Sequence, residues 1–105
     1  MEILDKNNRE VTKGLYKGPG AAIYGPVRIT NVLEVGPDGC IYCQSITGFG
    51  PCCAYEAESW ERIEDPLEFV KWLQYMYSPS SRVVQFMKSL LWDYEQEQIV
   101  RCKIQ

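Results

Sequence analysis

The residues best suited to chemistry are five cysteines, four of which fall close together as Cys40-x-x-Cys43 and Cys52-Cys53. Two such pairs are the raw material of a four-thiolate zinc site, where Cys-x-x-Cys sits in a tight turn and all four sulfurs converge on the metal. The surrounding residues argue against that geometry. Cys40 to Thr47 alternates as a strand, and a strand sends Cys40 and Cys43 to opposite faces, as it does adjacent Cys52 and Cys53. The tight turn belongs instead to Gly36-Pro37-Asp38-Gly39. The expectation is that no metal or cofactor is bound and that the thiols serve as small buried hydrophobes. A disulfide or a reactive thiol is the alternative.

The chain has no histidine among its 105 residues. That removes Ser-His-Asp and Cys-His nucleophilic mechanisms, His-containing zinc sites and the usual pH switch. Carboxylates, Tyr, Lys and Cys remain, but no nucleophile–base pair can be named among them, so the chain is not expected to be an enzyme. The net charge of −3 gives no basic footprint for duplex nucleic acid or a membrane surface. No apolar run approaches the roughly 20 residues that cross a bilayer. The opening Met1-Glu2-Ile3-Leu4-Asp5 lacks the basic-then-apolar pattern of a signal peptide. A cytoplasmic protein is expected.

Three surfaces could carry binding. The stretch from Glu56 to Glu68 holds six acids against Arg62 alone; Glu58, Glu61 and Glu64 would form an acidic edge able to meet a basic patch on a protein partner. The aromatic residues Trp72 and Tyr75 lie off the main apolar stripe of a helix and would form an interface patch if exposed. Lys17-Gly18-Pro19-Gly20-Ala21-Ala22-Ile23-Tyr24-Gly25-Pro26 is a glycine-rich loop. It lacks the Gly-Lys-Ser/Thr ending of a true phosphate loop. With Lys17, Gly18, Gly20 and Tyr24 it still offers the alternative of a site for a small anion or nucleotide.

The elements that position these residues fall into two grammars. All eight glycines lie at or before Gly50, and the chain after it has none. An α+β fold follows: a small antiparallel sheet or SH3-like β-barrel in the first two thirds, then a pair of α-helices. Residues 1–64 would be the strand-rich part, 65–98 the helices and 99–105 a final strand, all in one domain. Val27 to Val35 alternates with period two, Gly36 to Gly39 turns, and Cys40 to Thr47 returns. A further strand is expected over Cys52 to Glu56, after a turn at Gly48-Phe49-Gly50-Pro51, and another near Ala21 to Tyr24. Asp65-Pro66-Leu67-Glu68 reads as a capped helix start whose inner face is Leu67, Val70, Leu73 or Gln74, and Tyr77. Ser78-Pro79 would cap a second helix carrying Val83, Val84, Met87, Leu90, Leu91 and Tyr94 inward.

Leu4-Asp5-Lys6-Asn7-Asn8-Arg9-Glu10-Val11-Thr12-Lys13-Gly14 resembles the opening of small phage and prophage proteins of the YopX-like type, whose similar phrase leads into an SH3-like barrel. Ala57-Glu58-Ser59-Trp60-Glu61-Arg62-Ile63 looks like the closing strand of such barrels. Asn8 stands where that family has glycine, and Leu15-Tyr16-Lys17 replaces its acidic residue and strand. The resemblance implies a phage or mobile-element accessory protein acting by protein–protein interaction, with inhibition of a host defence or nucleic-acid enzyme as one outcome. It brings no catalytic residues. Its setting would be the cytoplasm of the bacterium or the phage-infected host.

Overall fold

The structure, a computed structural model, describes residues 2–20 and 27–104, without the side chains of residue 94 and of residues beyond 96. The chain divides into two compact units, Met1–Glu64 and Asp65–Gln105.

The first unit is built on an antiparallel sheet of β1 (Gly14–Pro19), β2 (Val27–Val35), β3 (Ile41–Ser45), β4 (Gly48–Cys52) and β5 (Glu61–Arg62), in the spatial order β4-β3-β2-β1-β5. The β2–β3 hairpin forms as its alternation predicts. Pro37 and Asp38 are the central turn residues, Gly39 N–H bonds back to Gly36 C=O at 3.1 Å, and Gly39 takes φ +82°. That left-handed angle is why glycine stands there. A bulge at Leu33 separates the pairs Val32↔Cys43 and Glu34↔Tyr42. The extra residue resets the alternation, so Val32 is fully buried and Val35 packs against the same core three residues later.

The SH3-like barrel is overturned. β4 and β5 stand at opposite edges and do not pair, so the sheet stays open. β5 has only two residues, paired as Tyr16↔Arg62 and Lys17↔Glu61, too few to bridge onward to another strand. One face is covered by non-sheet elements instead. Ile3 and Val11 from the N-terminal segment, Ala57 from a 3-10 helix (Ala54–Ser59) and Trp60 join Tyr16, Val32 and Ile41 in one core. Each large apolar side chain fully buried there contributes about 1.5–3 kcal/mol.

The strand expected over Cys52 to Glu56 is displaced. The turn falls at Ile46-Thr47, the residues read as a turn (Gly48 to Pro51) are themselves β4, and Ala54–Ser59 is the 3-10 helix. The strand expected near Ala21 to Tyr24 lies outside the described residues.

The second unit holds α1 (Pro66–Met76) and α2 (Arg82–Ile104), which pack against each other. α1 starts as its sequence dictates: Asp65 Oδ1 accepts the Glu68 N–H at 3.2 Å and Pro66 takes the first helical position, where its missing N–H costs nothing. Its buried face is Phe69, Val70 and Leu73, while Leu67, expected inside, is exposed. Ser78 organises the intervening turn rather than capping α2; its Oγ accepts the Ser80 N–H at 3.3 Å. The Gln85 N–H instead bonds back to the Ser81 carbonyl at the start of α2. Val83, Val84, Met87 and Leu90 are buried, as their spacing predicts. Residues 99–104, read as a final strand from their alternation, continue α2. Alternation over so few residues is weaker than helix propagation from the preceding turns, where each added residue gains one hydrogen bond.

Replacing Asp65 by Ala is expected to lower stability by about 1 kcal/mol, and replacement by Asn, itself a good cap, by much less. Urea unfolding followed by far-UV circular dichroism measures both; equal losses would refute a capping role.

Candidate functional site

The N-terminal segment is a built turn. Asp5 is buried, and its Oδ1 accepts the N–H groups of Asn7 at 2.8 Å and Arg9 at 3.1 Å. Asn8 takes φ 60°, a left-handed angle that Asn tolerates better than most residues. An antiparallel bridge between Leu4 and Glu10 closes the turn. The buried carboxylate is therefore spent on backbone donors and is not offered outward.

Beside it, Arg62 joins β5 to β1. Its Nη1 donates to Tyr16 Oη at 2.9 Å and Thr12 Oγ1 at 3.0 Å, and its Nη2 to the Lys13 carbonyl at 3.1 Å. The guanidinium also lies over the Tyr16 ring, 5.4 Å from its centroid. The Thr12 N–H adds a second bond to Tyr16 Oη at 3.1 Å, and Trp60 packs 5.7 Å away. A Cβ on Gly14 would stand 2.5 Å from Arg62 Nη2, and its φ of +151° is left-handed, so both space and backbone require glycine there.

The three acids of the expected edge are only partly free. Glu61 Oε2 lies 3.5 Å from Lys6 Nζ and 3.9 Å from Lys17 Nζ, and Glu64 Oε1 lies 2.9 Å from Arg9 Nη1. Glu58 is exposed and lines an open cleft of ≈ 570 Å³ with Glu2, Asp5, Lys6 and Tyr55. A second cleft of ≈ 530 Å³ is lined by Asp5, Asn7, Arg9, Glu61, Arg62 and Glu64. With Asp5 spent on the backbone, Glu61 and Glu64 share this cleft with the guanidinium groups of Arg9 and Arg62, so the edge is closer to charge balance than the sequence run suggests.

In the second unit, Trp72 and Tyr75 are both exposed, at 44% and 88%, with Met76 beside them at 53%. Trp72 stacks on Phe69 with ring centroids 5.8 Å apart and meets the edge of Tyr77 at 6.3 Å. Of the glycine-rich loop, Lys17 and Gly18 lie on β1 and Gly20 just beyond it, while residues 21–26, Tyr24 among them, are outside the described residues. A Cβ on Gly18 would stand 3.1 Å from Trp60 Cδ1, so this glycine serves packing.

The cysteines divide by exposure. Cys40 and Cys53 are exposed, Cys43 is buried and Cys52 is half-buried. Cys43 Sγ and Cys52 Sγ lie 2.8 Å apart. Burial pushes the Cys52 thiol well above its ordinary range, and Cys43 and the Glu56 carboxylate push it further. Among the described residues no group of three or more His, Cys, Asp or Glu is placed to hold a metal ion, and no helix is long and apolar enough to cross a membrane.

No family model matches the chain, and neither a curated protein nor a solved structure does. The resemblance to the YopX-like barrel proteins is overturned by that result together with the open sheet. The phage or mobile-element setting rests on that resemblance alone and is left without support. Sequence reasoning missed the Asp5 turn, the Arg62–Tyr16 cluster and the Cys43–Cys52 pair. The sequence signal for the pair was the hairpin register.

Replacing Tyr16 by Phe removes the oxygen that Thr12 N–H and Arg62 share, and is expected to cost about 1–3 kcal/mol. Replacing Glu64 by Gln breaks only an exposed pair and is expected to cost less than about 1 kcal/mol. Denaturant unfolding of both variants checks the order, and a reversed order would refute it. Iodoacetamide at mildly alkaline pH is expected to label Cys40 and Cys53 before Cys52, because alkylation needs an accessible thiolate; peptide mapping at short times reads the sequence of labelling.

Proposed function

We propose that the chain acts by binding a protein partner, with the aromatic side of α1 as the principal contact. The observation that carries this reading is that Trp72 is exposed and yet held in place by Phe69 and Tyr77. An exposed aromatic that is already ordered loses little conformational entropy when it docks. Tyr75 and Met76 extend the same surface at helical spacing, which makes an apolar stripe suited to a groove on a partner. Aromatic residues and methionine are the side chains enriched at interface centres. On the first unit, Glu58 is the least engaged of the three acids, while Glu61 and Glu64 are already met by cations.

The alternative, a small-anion or nucleotide module at the Gly18–Pro26 loop, has less support. Lys17, its nearest cation, stands 3.9 Å from the Glu61 carboxylate and would have to exchange that partner for the ligand. Among the described residues no nucleophile–base pair supports a catalytic reading.

The test is affinity capture from nuclease-treated lysate with the wild-type chain and with a Trp72→Ala/Tyr75→Ala variant in parallel. A protein held by the wild type is expected to bind the variant at least about tenfold more weakly, since losing an aromatic anchor costs about 2 kcal/mol or more. Unchanged circular dichroism guards against unfolding. Capture that is equal for both chains would refute the α1 surface.

A further inference from the structure

The Cys43–Cys52 pair is closer than packing alone explains. At 2.8 Å the two sulfurs stand nearer than non-bonded carbon atoms, which rest roughly 3.5–4.0 Å apart. A disulfide needs about 2.05 Å, so about 0.8 Å separates the observed pair from a bond. The register explains the approach. Cys43 faces Gly50 and Cys52 faces Ile41, so the two cysteines are diagonal neighbours on one face of β3 and β4. Their adjacent competitor points elsewhere: Cys53 follows Cys52 directly, is exposed, and alternates to the other side. Cys40 is exposed at the end of the β2–β3 turn.

We propose that Cys43 and Cys52 are a redox-modification site, forming a reversible disulfide that fastens β4 to β3. β4 can make the short movement required. It is an edge strand with one neighbour, and Gly48 and Gly50 have no atom within 4 Å of where a Cβ would stand. The oxidant is a small-molecule disulfide of the glutathione class. Cys52, the more exposed of the two, loses its proton to solvent base and attacks one sulfur of the oxidant. A protein–glutathione bond forms, the glutathione disulfide bond breaks and one glutathione thiolate leaves. Cys43 then attacks Cys52 Sγ, forming the protein disulfide and expelling the second glutathione. The two electrons lost by the protein thiols are carried by the two glutathione products, and the two protons end on their thiols. The raised Cys52 thiol makes the first attack slow. It also makes Cys52 a poor leaving group, so reduction by attack on Cys43 Sγ is slow.

The test equilibrates a Cys40→Ser/Cys53→Ser/Cys102→Ser chain in glutathione buffers from fully reduced to fully oxidised, with acid quenching. Thiol titration is expected to fall from two to none, with an intact mass lower by two hydrogens and no retained glutathione. The oxidised form should also melt at a higher temperature, because a closed loop restricts the unfolded chain. Two thiols persisting in oxidised glutathione, or stable glutathione adducts without an internal link, would overturn the proposal. The wild-type chain, oxidised in the same way and mapped by tandem mass spectrometry, gives a reading independent of the substitutions. A dominant Cys43–Cys52 linkage supports the proposal, and a dominant link through any other cysteine refutes it.

Discussion

A buried phenol must find partners for its oxygen, and in the first unit the neighbouring elements are arranged around that requirement. Tyr16 is only 1% exposed, and its hydroxyl accepts from the Thr12 backbone and from Arg62. Leaving that oxygen bare would cost more than the bonds themselves contribute, because desolvation is incurred whether or not a partner arrives. Thr12 belongs to the segment leading into β1, and Arg62 is half of the two-residue β5. A strand so short has little ladder to hold it. The guanidinium bonds and the Ile63 N–H bond to the Leu15 carbonyl, at 2.9 Å, supply what the ladder lacks. The same ring packs on Trp60, whose carbonyl accepts the Lys6 N–H at 3.0 Å and so fastens the Asp5 turn.

That arrangement secures one edge of the sheet and leaves the other to different means. β4 has a neighbour on one side only, and unprotected edges invite pairing with other chains. Pro51 lacks an N–H and so removes one edge donor, and the strand is only five residues long. The proposed disulfide acts on this same strand, so oxidation would stiffen the edge that has the fewest ties. The opposite edge, held by Arg62, would be unaffected.

Legibility in the sequence followed the local strength of each signal. The β2–β3 hairpin could be read because proline and glycine occupy the two positions its turn constrains most, Pro37 and Gly39. The start of α1 could be read because Asp65, Pro66 and Glu68 each satisfy a separate requirement of a helix N-terminus. The next hairpin misled for the same reason that these succeeded. Gly48, Gly50 and Pro51 look like a turn, yet the turn is Ile46-Thr47, and the glycines are strand residues of an edge. Placing the turn two residues too late hid the Cys43–Cys52 pairing, which follows from the true register by counting. The barrel was not legible from local pattern. Whether a sheet closes depends on which edges meet, and no local alternation shows that β4 and β5 end at opposite edges.

The two proposed contact surfaces differ in what a partner must first undo. Along the acidic edge, a cationic partner would displace Lys6 or Lys17 from Glu61 and Arg9 from Glu64. Exchanging one exposed ion pair for another changes the free energy by less than about 1 kcal/mol, and salt screens it further. On α1 the ion pair between Lys71 and Glu68 involves neither Trp72 nor Tyr75. An aromatic side chain buries roughly 150–250 Å², and at about 25 cal/mol per Å² even half of that for Trp72 and Tyr75 amounts to about 2–3 kcal/mol each before ordering costs. Because Trp72 is already ordered by Phe69 and Tyr77, those costs fall mainly on Tyr75. Charge at the edge can therefore steer an encounter but adds little strength, and α1 is the stronger of the two candidate contacts.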